Sequence, residues 1–125
     1  MTRKHCAILA GLNGAFVIIV GAFGAHGLKD IIAPELLETY HTGVLYHLIH
    51  APALLALAFA PSAVWSSKWA PRIVYMWIAG IALFSGSLYV LALTGIGILG
   101  AITPFGGTAL IIGWLMVLGL RNVND

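Results

Sequence analysis

Four long apolar stretches without an alternating polar beat leave this chain few folds. The first runs from about Cys6 to Ala25, the second from about Gly43 to Ala60, the third from about Ile73 to Leu93, and the fourth from about Ala101 to Leu120. Each is close to the ~20 residues that carry an α-helix across ~30 Å of hydrocarbon. A soluble domain of 125 residues needs a polar coat with about a quarter of its residues charged. Here six Lys and Arg with four Asp and Glu make up 8% of the chain, and 61% is hydrophobic. The bilayer is the solvent that fits this composition. In hydrocarbon every backbone amide needs an internal partner, so each span is a helix or a barrel strand, and runs without period-two alternation select helices. The sequence predicts an all-α integral membrane protein, with residues 1–125 forming one compact bundle of four transmembrane helices.

The same numbers exclude other classes. The 15 glycines follow no period of three, and one cysteine, Cys6, cannot form an intramolecular disulfide, so it reads as a small apolar residue at a helix start. The net charge of +2 contains no basic run longer than Arg3-Lys4, which argues against nucleic acid as a partner. The first span imitates a signal peptide, but its apolar stretch exceeds the 7 to 15 residues of such segments, so an uncleaved span is expected.

Orientation follows from lysine and arginine counted by side. With four spans, Arg3, Lys4, Lys68, Arg72 and Arg121 share one side, while Lys29 stands on the other with Asp30, Glu35 and Glu38. Both termini are therefore expected in the cytoplasm. Trp65, Trp69, Tyr75 and Trp77 cluster near the middle loop, where an interfacial aromatic belt belongs.

Along span one, Ala7, Ala10, Gly11, Gly14, Gly21 and Ala25 fall within about 50° of one line on a helical wheel. Lipid tails give helices no hydrophobic reason to associate, so small residues that let backbones approach are expected to pack them. Gly11, Gly14, Gly21, Gly86 and Gly113 are the packing candidates. Asn13, Ser85, Ser87 and Thr94 are expected to supply hydrogen bonds between helices. Residues 94–107 are apolar but rich in glycine, which fits either a kinked helix start or a re-entrant piece.

The second helix is expected to begin before the membrane, with Pro34 in its first turn and Glu35 and Glu38 at the positive end of its dipole. Its wheel puts Glu35, Thr39, Thr42, Tyr46 and His50 within about 80° of one another, with His47 at the margin. Ionisable groups at membrane depth mark candidate functional sites. His26, Glu35, Tyr46, His47 and His50 thus form a candidate polar cavity. Glu38 and His41 have a spacing used in metal-binding bundles, but His41 points away from His50, so no metal site and no cofactor are expected from this helix alone. Pro52 is expected to bend the helix near His47 and His50. No phosphate-binding glycine loop, nucleophile elbow, HExxH or paired cysteines occur, and no catalytic residue is nominated.

Read in order, residues 21–28 (GAFGAHGL), Tyr40-His41-Thr42-Gly43 with Tyr46-His47, residues 84–89 (FSGSLY) and residues 100–107 (GAITPFGG) resemble the DUF423 family of small membrane proteins. That family includes YgdD-like bacterial inner-membrane proteins and the transmembrane protein 256 group. The resemblance implies a four-span protein of the bacterial inner membrane with no established activity, and draws His26, Tyr46, His47, Ser85, Tyr89, Thr103 and Pro104 together as candidates for a shared role. The function expected is a non-enzymatic structural or assembly protein in the lipid bilayer, forming a homo-oligomer or joining other membrane subunits. The alternative is binding or transport of a small molecule, ion, metal or haem through the polar cavity of helix two.

Overall fold

The structure is a computed structural model and describes residues 1–123. It contains α1 (Arg3–Ala22), α2 (Pro34–Ala58), a short α3 (Ser62–Ser66), α4 (Trp69–Thr94) and α5 (Thr103–Val117). No strand occurs among the described residues, so the all-α expectation holds. A wider turn at Phe23–Gly27 prolongs α1, and tighter turns at Gly97–Ala101 and Leu118–Asn122 flank α5. The helical stretches Arg3–Gly27, Trp69–Thr94 and Gly97–Asn122 are long and apolar enough to cross a membrane. α2 has the length, with 25 residues, but His41, His47 and His50 dilute its apolar run.

Local chemistry explains where the helices start and stop. The Thr2 hydroxyl accepts the His5 N–H, and His5 Nδ1 accepts the Thr2 N–H, both at 3.3 Å, so the first turn of α1 is capped from both directions. Pro34 opens α2 in the position expected for it. α4 stops at Gly95, whose φ of 70° is the left-handed conformation that a side chain disfavours, and the Gly95 N–H closes onto the Leu91 carbonyl at 2.8 Å. The chain then turns through Gly97–Ala101 into α5, with Pro104 in its first turn. Residues 94–107 thus form a tight turn and the start of a helix.

α1 packs on α2, α2 on α4, and α4 on α5. The molecule is two helical hairpins joined through α2 and α4. The main core, at the end that holds the N-terminus, gathers Cys6, Leu54, Ile73, Val74, Trp77 and Leu110. A smaller core at the other end holds Leu28, Tyr40 and Ala92. At the first end, Arg3 of α1 reaches the last turn of α2, where its Nε donates to the Ala58 carbonyl at 2.8 Å, a cation on the negative end of a helix.

The close approaches fall partly where the sequence put them. A Cβ on Gly113 would lie 2.5 Å from the Trp77 ring, and one on Gly21 would meet Val44 at 3.6 Å. Gly11 and Gly14 of α1 and Gly86 of α4 have no neighbour within 4 Å of that position, although Ala10 on the same line of α1 is buried in the main core. The tightest contacts are at Gly106, where a Cβ would fall on the Phe84 backbone, and at Gly80, where it would fall on Leu110.

Candidate functional site

α2 lies at the middle of the bundle, and its two buried histidines face opposite flanks. His47 is 2% exposed and His50 3%. Three residues apart on a helix, they diverge enough that His47 meets α1 and α4 while His50 meets α4 and α5.

The His47 side can be read donor by donor. The Asn13 amide nitrogen donates to the Leu9 carbonyl at 2.8 Å, which leaves its oxygen as an acceptor. His47 Nε2 therefore donates to Asn13 Oδ1 at 3.1 Å, and His47 Nδ1 accepts from the Tyr89 hydroxyl at 3.1 Å. This polarised chain ties α1, α2 and α4 together. It forms the floor of a cavity of about 210 Å³ walled by Phe16, Ile81 and Gly86.

The His50 side is also closed. His50 Nδ1–H donates to the Tyr46 carbonyl at 2.6 Å, so Nε2 carries the lone pair, and the Trp114 indole N–H donates to it at 2.9 Å. A carbonyl on one nitrogen and an N–H on the other leave one arrangement, the neutral imidazole with its proton on Nδ1. The ring sits 5.9 Å from both Trp77 and Trp114, centroid to centroid. All four ring nitrogens of the two histidines are occupied.

Of the five cavity candidates, the structure brings Tyr46 and His50 together on one pocket of about 420 Å³, beside Phe84 and Trp114. Tyr46 stacks obliquely on Phe84 with centroids 4.5 Å apart. His47 lines the other flank. His26, in the wide turn after α1, and Glu35, in the first turn of α2, are exposed and line neither pocket. No group of three or more His, Cys, Asp or Glu is placed to hold a metal ion among the described residues. Among the other polar candidates, Ser87 Oγ meets Thr103 Oγ1 at 2.7 Å and ties α4 to α5. Thr94 bonds back to the Val90 carbonyl, and Ser85 Oγ is buried without a partner among the described residues.

The residue that sequence reasoning missed is Trp114, which it nominated for nothing. An indole N–H at membrane depth requires an acceptor, and a histidine near the same depth on a neighbouring helix is a candidate for it.

These elements define an all-helical membrane protein whose two buried histidines are tied to side chains of neighbouring helices. Comparison with known sequences carries the class to a family. The model described as "Protein of unknown function (DUF423)" matches residues 20–107. The chain is 46% identical to UPF0382 membrane protein YwdK of Bacillus subtilis over 92% of its own length and 94% of the relative's. It is 42% identical to a UPF0382 membrane protein of Haemophilus influenzae, covering 92% and 90%, and 40% identical to UPF0382 membrane protein SSP2132 of Staphylococcus saprophyticus, covering 92% and 94%. The chain belongs to the DUF423 family, and it is a membrane protein. No solved structure matches it.

Proposed function

We propose that the protein is a non-enzymatic, four-span protein of the bacterial inner membrane, with both termini in the cytoplasm, that acts by assembly into a homo-oligomer or with other membrane subunits. The observation that carries this reading is the saturation of His47 and His50. With all four ring nitrogens engaged inside the protein, neither is free to ligate a metal or haem, or to pass a proton, without breaking a tie between helices. That favours structural histidines over a transport path. α2 serves as the fourth span because its two buried histidines turn onto α1, α4 and α5, so that lipid meets apolar side chains such as Leu45, which is exposed. The surface for assembly is the open groove of about 420 Å³ between α1 and α2, lined by Gly11 and Gly14 on one side and Leu48 on the other.

The experiment is native mass spectrometry, with metal analysis, of the protein extracted gently from its own membrane. The expected result is a metal-free oligomer or hetero-complex that survives His50→Ala and dissociates on Gly11→Leu. A stoichiometric ligand or metal lost in the His47→Ala and His50→Ala variants would move the function to binding. A reporter fused at the C-terminus that reads as external would overturn the orientation.

A further inference from the structure

The second opening of the bundle is a furrow between α2 and α5, distinct from the α1 face. These two helices are held apart by α4, which supplies the floor through Trp77. The His50–Trp114 hydrogen bond crosses the furrow and divides it into two lobes that share Trp114. The inner lobe, about 270 Å³, is an apolar trough walled by Ala53, Ala56 and Ala60 on one side and Val117 and Leu120 on the other. From Ala53 to Ala60 it runs about 10 Å along the helix, about two thirds of the depth of one leaflet of a ~30 Å hydrocarbon core.

Cationic side chains gather at the end of the bundle where this lobe opens. On the α2 side, Arg3 donates to the Ala58 and Phe59 carbonyls at 2.8 and 3.5 Å, between the wall residues Leu57 and Ala60. On the α5 side, Arg121 follows directly after the wall residue Leu120 and is exposed. Lys68 and Arg72 stand at the start of α4 at the same end. The acids among the described residues, Asp30, Glu35 and Glu38, all lie at the opposite end. An alanine-walled trough that reaches into the apolar part of one leaflet, ending near two arginines with no acidic side chain at that end among the described residues, matches a molecule with an apolar chain and an anionic head.

We propose that the furrow between α2 and α5 binds one acyl chain of an acidic phospholipid, whose phosphate is held at the mouth by Arg3 and Arg121. The chain lies along Ala53, Ala56 and Ala60 and ends beneath the His50–Trp114 bridge. The assignment of this lipid to the cytoplasmic leaflet rests on the orientation proposed above; the binding itself does not, because protein in detergent has no sides. Failure of one is therefore distinguishable from failure of the other.

The test titrates the detergent-purified protein with phosphatidylglycerol and with phosphatidylcholine of identical acyl chains, read by native mass spectrometry. One phosphatidylglycerol per chain is expected, retained in preference to phosphatidylcholine, with the preference falling about fivefold in Arg121→Gln. Ala56→Trp, which fills the trough from the lipid-facing side of α2, is expected to abolish retention of both. A second readout covers the event that this variant does not fold. Phosphatidylglycerol brominated near the end of its acyl chain should quench the tryptophan fluorescence of the wild type, and the quenching should drop in Trp114→Phe. Equal retention of the two lipids by the wild type would overturn the proposal, as would unchanged quenching in Trp114→Phe. Loss of an oligomer rather than of lipid in Ala56→Trp would also overturn it, by placing a second copy in the furrow.

Discussion

The seam between α4 and α5 and the seam between α1 and α2 are both rich in glycine, yet they are built in opposite ways. Along α4 and α5, Gly80, Gly106 and Gly113 each face a neighbour so closely that a methyl group has no room. Along α1, Gly11 and Gly14 face open space, and that helix is held to α2 by polar groups instead. The Tyr40 hydroxyl donates to the Val20 carbonyl at 2.6 Å, Cys6 Sγ to the Leu54 carbonyl at 3.3 Å, and His47 to Asn13. In a solvent with no hydrophobic drive, close packing and interhelical hydrogen bonds are the two available adhesives. This protein uses mainly the first for one hairpin and adds the second for the other.

The contrast can be broken by substitution. The largest effect is expected at Gly106→Ala, where the new methyl group falls on the Phe84 backbone and the two helices must separate. A loss of about 3 kcal/mol in reversible detergent unfolding is expected, the upper part of the range for overpacking. His47→Leu removes the polar tie between hairpins and leaves Asn13 Oδ1 and the Tyr89 hydroxyl unpaired. It should cost about 1–2 kcal/mol in the same assay. Gly11→Ala adds a methyl group to open space, and its effect on the unfolding of the single chain should stay within about 0.5 kcal/mol. If Gly11→Ala were as damaging as Gly106→Ala, the two seams would not differ as described.

The pattern of what the sequence disclosed follows from what a helical wheel contains. A wheel reports angles on one helix, so it marked the polar edge of α2 and the small-residue line of α1 correctly as faces. It holds no information on which neighbour covers a face. Gly11 and Gly14 therefore looked the same as packed positions on that line, although they face open space while Ala10 beside them is buried. His47 and His50 looked like partners because 60° separates them on the wheel, and in a bundle of narrow helices 60° is enough to send one to α1 and the other to α5. Asn13 could be recognised as a buried donor needing a partner. Trp114 gave no such sign, since tryptophan at a membrane surface is common and its N–H acquires significance once an acceptor is known to lie opposite. The turn at Gly95 was visible as a glycine-rich stretch, but the positive φ that ends α4 depends on the direction in which α5 returns.

The arrangement into two hairpins has a consequence for how the molecule can be taken apart. α3 contributes no buried residue, and the halves on either side of it meet through α2 and α4, with Trp114 of the second half reaching His50 of the first. Each half contains its own pair of packed helices, α1 with α2 and α4 with α5. A chain divided at Ser62–Ser66 would leave both hairpin seams whole, and the two pieces could reunite only through the contact of α2 with α4 and the reach of Trp114 to His50.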